Sequence, residues 1–347
     1  MEIKYTVQGL LIYITMAAYL AAFFLAILRI KKVASVVYFL GFGSAVAAFI
    51  YRWIHVQHIP MQNLFEVFVT LGMVIYPITL FSRKILHIAS GPADCADMLI
   101  GFIVLFPAGF VFHAEPQQLP PALQCWLFAP HVAVYMLSYM ILAKSNYLAF
   151  GRILTKMKYT LGFKLFMAAL IGLLTFLITL VLTLELPAKT QIPLWKIVLE
   201  SSFKPLALGL LATILSFLLA KLLFVIVHFL TQIFYIKPEG LGNLLPYEDA
   251  TYRMTCAGFP LLTLGLILGS WWGKLAWGDY WAWDPKELWS LVSWLVFLGY
   301  FHFRAIYGKK HPKINSIWAI AGMTAIIITL LWVNLSKLFT GMHSYAS

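Results

Sequence analysis

Apolar stretches of membrane-crossing length recur along the whole chain and constrain it more than any other feature. Ten lie near residues 8–28, 33–50, 64–81, 97–112, 131–150, 162–184, 206–236, 255–272, 289–307 and 314–333, the stretch at 97–112 being the weakest. Lipid offers no partner to a backbone N–H or C=O, so a stretch of roughly twenty apolar residues must cross as a helix that satisfies its own hydrogen bonds. The pattern predicts an all-α, polytopic transmembrane helical bundle of about ten spans. With 62% apolar and 11% charged residues, the length of 347 does not translate into two or three soluble domains. The longest intervening stretches, 113–130, 185–205 and 237–254, are about twenty residues each, so any chemistry belongs to helices or short loops.

Basic residues set the expected orientation. With both termini external, alternation over ten spans puts fourteen Lys and Arg in cytoplasmic loops, eight outside and three within spans, the asymmetry that orients membrane proteins. The first stretch is preceded by one lysine and shows no small-residue cleavage pattern before Arg29, so it reads as a retained helix rather than a signal peptide. A net charge of +12 sits in short clusters beside spans, where orientation and anionic lipid account for it and nucleic acid is not called for. Cys95, Cys125 and Cys256 form no Cys-x-x-Cys pair. The sequence therefore encodes no thiol relay, no thiolate metal site and no covalent c-type haem attachment of its own.

One external stretch is anomalous. Residues 273–288 read GKLAWGDYWAWDPKEL, so that Trp277, Trp281 and Trp283, with Trp272 and Tyr280, crowd into a few turns. An interfacial anchoring belt is one account, although it needs only one or two such rings. The other is a flat aromatic shelf suited to a large planar ligand, with Gly273 and Gly278 permitting tight turns. Asp284 has its own local explanation: Asp-Pro-Lys-Glu places an N-cap at 284, proline at the first helical position and Glu287 as a capping-box partner. Asn63 and Glu66 repeat that pattern.

Nine histidines are present, and imidazole is well suited to binding haem iron at a membrane edge. His131 opens the fifth stretch and is followed at helical spacing by Tyr135, Ser138, Tyr139 and Asn146, a polar stripe that should face protein or cofactor. His343 lies in the tail beyond Gly341, where a histidine is ordinarily solvated. His302 sits thirteen residues into the ninth stretch, roughly 20 Å below the external surface. It is either a functional intramembrane group or, beside Arg304, a residue reaching the cytoplasmic headgroups. His228 reads as a helix–helix bonding residue; His55, His58, His87, His113 and His311 read as loop residues.

With these residues in view, the segment from Tyr252 to Tyr345 resembles the CcsA/ResC type of cytochrome c biogenesis protein, in the haem-handling superfamily named for its WWD motif. The landmarks YRMTCAGFPLLTLGLILG, WGDYWAWDPKELWSLVSW, GYFHFR and GMHSY occur in that order. HIPMQNLFE at 58–66 and HVAVYMLSY at 131–139 look like two further family segments. The chain departs from the usual eight-span pattern by two extra spans, near 162–184 and 206–236, which preserve external placement of the motif. The expected organisation is a five-span half over 1–150, the extra spans within 151–245 and a WWD region over 246–347. CcmC and CcmF, of the same superfamily, lack the Pro-Lys-Glu continuation present here.

The resemblance implies that His131 and His343 are external axial ligands of haem iron and that His302 is the membrane-embedded histidine on a haem path. Trp277, Gly278, Trp281, Trp283 and Asp284 match the motif itself, whereas Trp271 and Trp272 precede it. It further implies that haem b is bound and presented for covalent attachment to an apocytochrome c carrying Cys-x-x-Cys-His. A CcsB/ResB-type partner would complete the cytochrome c synthase (system II), in a bacterial cytoplasmic membrane or a thylakoid. No general base or nucleophile is identifiable near the motif. Two other readings stay open: a haem exporter without attachment activity, and an electron-transfer subunit holding permanent b-type haem.

Overall fold

The computed structural model describes residues 4–88, 92–116, 118–155, 194–222 and 247–333, with scattered positions between 158 and 175 and at 224–225. Helices account for the regular structure, and no strand occurs among the described residues. They are α1 (Val7–Ile27), α2 (Lys31–Val56), α3 (Leu64–Lys84), α4 (Pro92–Phe110), α5 (Phe128–Thr155), α6 (Leu194–Leu218), α7 (Tyr247–Trp277), α8 (Pro285–Tyr307) and α9 (Pro312–Ile327). A single 3₁₀ turn at Pro121–Leu123 precedes α5, and a π-helical turn, Ile328–Trp332, continues α9. Among the described residues six helices are long and apolar enough to cross a membrane: α1, α2, α3, α7, α8 and α9 with its extension to Leu331.

Several helices start before their apolar stretches, α6 and α7 furthest before. α7 takes in Glu248, Asp249 and Arg253 before its apolar run, and α6 begins at Leu194 within a stretch read as loop. Hydropathy marks where lipid contact begins, whereas intrahelical hydrogen bonding continues through polar residues of good helix propensity. The extra-span region 162–184 is helical at each of its described positions, and the remainder lies outside the described residues.

The chain divides into two compact units, Met1–Ile153 with Ile233–Ser347, and Leu154–Gln232. In the smaller unit a methyl at Gly172 would collide with the Thr213 side chain, so glycine lets two helical segments approach closely. In the larger unit a single tyrosine ties four helices. The Tyr19 ring fits against Gly41 of α2 and Gly101 of α4, where methyl groups would come within 2.8 and 2.6 Å of it, and its hydroxyl donates to Gly72 O of α3 at 3.0 Å. Packing and hydrogen bonds must supply such cohesion, because lipid is as apolar as the side chains it would replace.

Charge is also buried within this unit. Lys144 of α5 pairs with Asp97 of α4, both about fully buried, and Thr79 Oγ1 donates to the same carboxylate at 2.7 Å. At the far ends of α7 and α8, Arg304 pairs with Glu248 and lies 4.2 Å over the Tyr252 ring. Asn315 of α9 donates to the same Glu248 carboxylate.

The α5–α7 seam positions the site. Gly258, Gly265 and Gly269 recur at spacings of seven and four on one face of α7, and against them lie Leu142, Tyr135 and His131 of α5. Ser138 Oγ donates to Gly258 O at 2.9 Å and Ser145 Oγ to Thr251 O at 3.0 Å, which fixes the register of the two helices. α8 joins α7 through Trp294 Nε1 donating to Thr263 Oγ1 at 2.9 Å, and joins α9 through Phe297 seated on Gly322.

Candidate functional site

At the end of the larger unit where α3, α5 and α8 begin and α7 ends, a cleft encloses about 1010 Å³ of space, part of it open to solvent. Its walls are the start of α3 (Met61 to Leu64), the first turns of α5 (Phe128, His131, Tyr135), the end of α7 (Gly269, Trp272), the loop residues Tyr280 and Trp281, the first turns of α8 (Lys286, Ser290), and Thr329 with Leu330 of the π turn. The lining is the mixture of aromatic surface with few polar groups usual for small-molecule and cofactor sites.

His131 is held on three sides. Its Nδ1 lies 2.9 Å from Gly265 O, a carbonyl that can only accept, so Nδ1 carries the hydrogen and Nε2 carries the ring lone pair. Its ring stacks on Trp272 at 5.7 Å and 22°, and meets Tyr135 edge-on at 5.0 Å. A methyl at Gly269 would fall 2.4 Å from His131 Cε1, so only glycine there leaves room for the imidazole. Trp272, 2% exposed, is fixed by Nε1 donating to Ala122 O at 2.9 Å, just before α5. A backbone carbonyl that sets tautomer and ring orientation is the outer-shell arrangement that metal-ligating histidines use.

The tryptophans do not form one flat shelf. Trp277, the last residue of α7, packs edge-on behind Trp272 at 4.6 Å and 64°. Gly278, at φ +90°, then turns the chain out of the helix, a conformation that costs glycine nothing. Ser270 Oγ donates to Tyr280 O at 2.8 Å and folds the loop back over α7. Trp281 lines the cleft, whereas Trp283, at φ +58° and 69% exposed, points away and meets Trp281 edge-on at 6.0 Å and 87°. Edge-to-face contact is the arrangement aromatic quadrupoles favour, which is why neighbouring rings resist coplanarity.

Asp284 is the N-cap of α8: its carboxylate accepts from Lys286 N at 2.9 Å, and Glu287 returns the bond to Asp284 N at 3.2 Å, completing the capping box. At the mouth's other side, Asn63 caps α3 by accepting from Glu66 N at 3.0 Å.

Of the residues singled out in the sequence, the fold brings His131 and Trp281 into the cleft, stacks Trp277 behind it, and places Gly278 and Asp284 at the turn and cap that shape its rim. His302 is exposed on the surface of α8, away from the cleft. His343 lies outside the described residues. Trp272, counted in the aromatic cluster but set before the motif, and Lys286, which was not singled out, also line the cleft. Trp272 had a readable signal, since Gly265, Gly269 and Trp272 fall at helical spacing on the face of α7 that packs against His131.

A family model described as "Cytochrome C assembly protein" matches residues 61–340 of the chain. A protein of Microcystis aeruginosa with the name "Cytochrome c biogenesis protein CcsA" is 28% identical over 299 residues, 85% of this chain and 81% of the relative. Proteins of the same name are 44% identical over 110 residues in a Synechocystis species and 46% identical over 110 residues in Prochlorococcus marinus. These two alignments span 32% of this chain and 32% and 34% of the relatives, about a third of each.

Proposed function

The chain belongs to the cytochrome c assembly protein family, and on that premise we propose that it holds haem b at the His131 cleft and presents it for covalent attachment to an apocytochrome c. Family membership carries the coarser statement, a membrane protein with a role in cytochrome c maturation, work that involves haem and an apocytochrome. The observation that carries the finer one is the His131 imidazole, oriented by Gly265 O and stacked on Trp272 in the wall of an aromatic-lined cleft.

In this reading His131 and His343 ligate iron from opposite faces. Trp272, Trp281 and Tyr280 cover the macrocycle and exclude water, with Trp277 buttressing Trp272 and Gly278 letting the loop fold back. Haem supplies the reactivity: each thiol of an incoming Cys-x-x-Cys-His adds across a vinyl C=C, sulfur to one carbon and hydrogen to the other. The chain's contribution is to hold that vinyl in near-attack geometry. Trp283, exposed at the rim, belongs to the surface that meets the apoprotein or a CcsB/ResB-type partner, and Asp284 shapes the rim as a cap. His302, exposed on a spanning helix, faces lipid or another chain, which suits a haem-relay histidine completed by that partner. The same proposal includes ten spans with external termini, and 151–245 as an insertion between 1–150 and the WWD region 246–347.

In protein purified with its partner, His131→Ala and His343→Ala should each release haem and lose the bis-imidazole absorption spectrum, and added imidazole should restore part of it. Unchanged haem content and spectrum in both variants would defeat the ligand assignment.

A further inference from the structure

We propose that Trp126 and Trp271 form a lipid-binding surface that seats the mouth of the cleft in the headgroup layer of the bilayer. The inference needs only a chain that spans a membrane and is independent of what the cleft holds.

Neighbouring residues of α7 face different surroundings. Trp272 is buried in the cleft wall, with Nε1 donating to Ala122 O. Trp271, about 100° away round the helix, is 47% exposed and continues an exposed apolar row, Pro260, Leu264 and Ile267, along the other face of α7. That helix is long and apolar enough to cross a membrane, so the row is the face it turns to lipid. Trp126, 68% exposed, reaches over from the segment ahead of α5 and meets Trp271 edge-on at 5.8 Å and 83°. The two rings make one exposed aromatic surface at the end of the lipid-facing row.

The length of the row fixes the height of that surface. Its nearest exposed charges are Arg253 at one end and Lys274 at the other, with no charged residue between them. They stand twenty-one residues apart, a rise of about 31 Å, against roughly 30 Å of hydrocarbon in a bilayer. Trp271 lies one turn inside the Lys274 limit, at the boundary between acyl chains and headgroups. Indole suits that boundary, because its ring is apolar while its N–H needs an acceptor, which ester, phosphate and water oxygens supply. Trp53, exposed in the last turn of α2, lies at the same end of the unit, where α3 begins. The segment that carries Trp126 also gives Ala122 O to Trp272, so lipid contact holds the wall against which His131 stacks.

The test is tryptophan fluorescence of the full chain, purified with and without its partner, in nanodiscs of phosphatidylcholine or of the same lipid brominated on acyl carbons near the headgroup. Bromine quenches the rings that lipid touches. Trp126→Phe, Trp271→Phe and the double variant are compared with the native chain and with Trp281→Phe, which removes a ring of the cleft. The double variant should lose roughly a third of the intensity that bromination quenches, as two of a handful of interfacial rings would. Each single variant should lose part of it, and Trp281→Phe little. Moving the bromines to the middle of the acyl chains should shrink the share due to Trp126 and Trp271. Quenching unchanged in the Trp126 and Trp271 variants overturns the proposal. So does a share that vanishes when the partner is present, which would make the surface a protein interface, or one that grows with deep bromines, which would place the rings inside the hydrocarbon. The single variants keep the outcome independent of whether the double variant folds.

Discussion

Two helices open at the mouth of the cleft with the same local signature, an Asx N-cap followed three residues later by glutamate, yet they are held by different forces. At α3, Glu66 is 1% exposed and pairs with Arg52 of α2 at 2.9 Å while also accepting from Gln62 N at 2.8 Å. Arg52 in turn donates to Ala114 O and Glu115 O and lies 5.1 Å over the Phe65 ring. One guanidinium thus joins the end of α2, the start of α3 and the segment after α4. At α8, Glu287 accepts only from the backbone of its own turn, and among the described residues it carries no ion pair. The α3 side is a wall fixed by buried charge; the side formed by α5, α7 and α8 is shaped by backbone turns and close approach, and it carries His131 and the aromatic rings assigned to the ligand.

The largest expected effect tests the wall. Removing one partner of a buried ion pair leaves the other charge unpaired, at a cost of about 3–5 kcal/mol. Arg52→Ala or Glu66→Ala should lower the thermal unfolding midpoint of the purified protein sharply, with haem loss following unfolding. The double variant Arg52→Met with Glu66→Leu should recover much of that stability, because a well-packed apolar pair avoids the desolvation penalty. Single variants no less stable than the native chain would erase the contrast between the two sides.

Gly269→Ala tests the other side. The added methyl would meet the His131 ring at 2.4 Å, and overpacking of that kind costs about 1–3 kcal/mol when neighbours must shift. The expected signature is a displaced imidazole: an altered haem absorption spectrum with a smaller loss of stability than at Arg52. Serine at the same position should behave like alanine. An unchanged spectrum in Gly269→Ala would mean that the imidazole can move aside without consequence, and the close approach of α5 and α7 would then not be what aims His131.

The same contrast shows what could be read before the fold was known. Both caps were legible, because an N-cap and its glutamate lie within one turn and need no tertiary information. So was the helical class, since lipid leaves the backbone few alternatives. The ion pairs were not: Arg52 counted only as a charge outside the membrane, and Lys144 as one of three lysines within spans. Their partners, Glu66 and Asp97, are fourteen and 47 residues away, and spacing says nothing at that range. The aromatic cluster was legible as composition but not as geometry. A flat shelf was expected; the rings instead meet edge-on, Trp277 against Trp272 at the end of α7 and Trp283, in a left-handed turn, against Trp281 in the loop that follows. Trp272 was set aside as lying before the motif, although its helical register with Gly265 and Gly269 ties it to His131.

The smallest effect concerns Asp284, where the two sides of the comparison can be separated by a single oxygen. Replacing an N-cap aspartate by alanine costs about 1 kcal/mol, whereas asparagine retains a capping oxygen. If Asp284 acts as a cap, Asp284→Ala should lower the unfolding midpoint modestly and loosen haem, while Asp284→Asn should leave both nearly unchanged. If the carboxylate charge matters to the ligand, Asp284→Asn should change haem affinity at constant stability. A loss in Asp284→Asn would place the carboxylate in contact with haem or its apocytochrome, and the α8 turn would then be more than a cap.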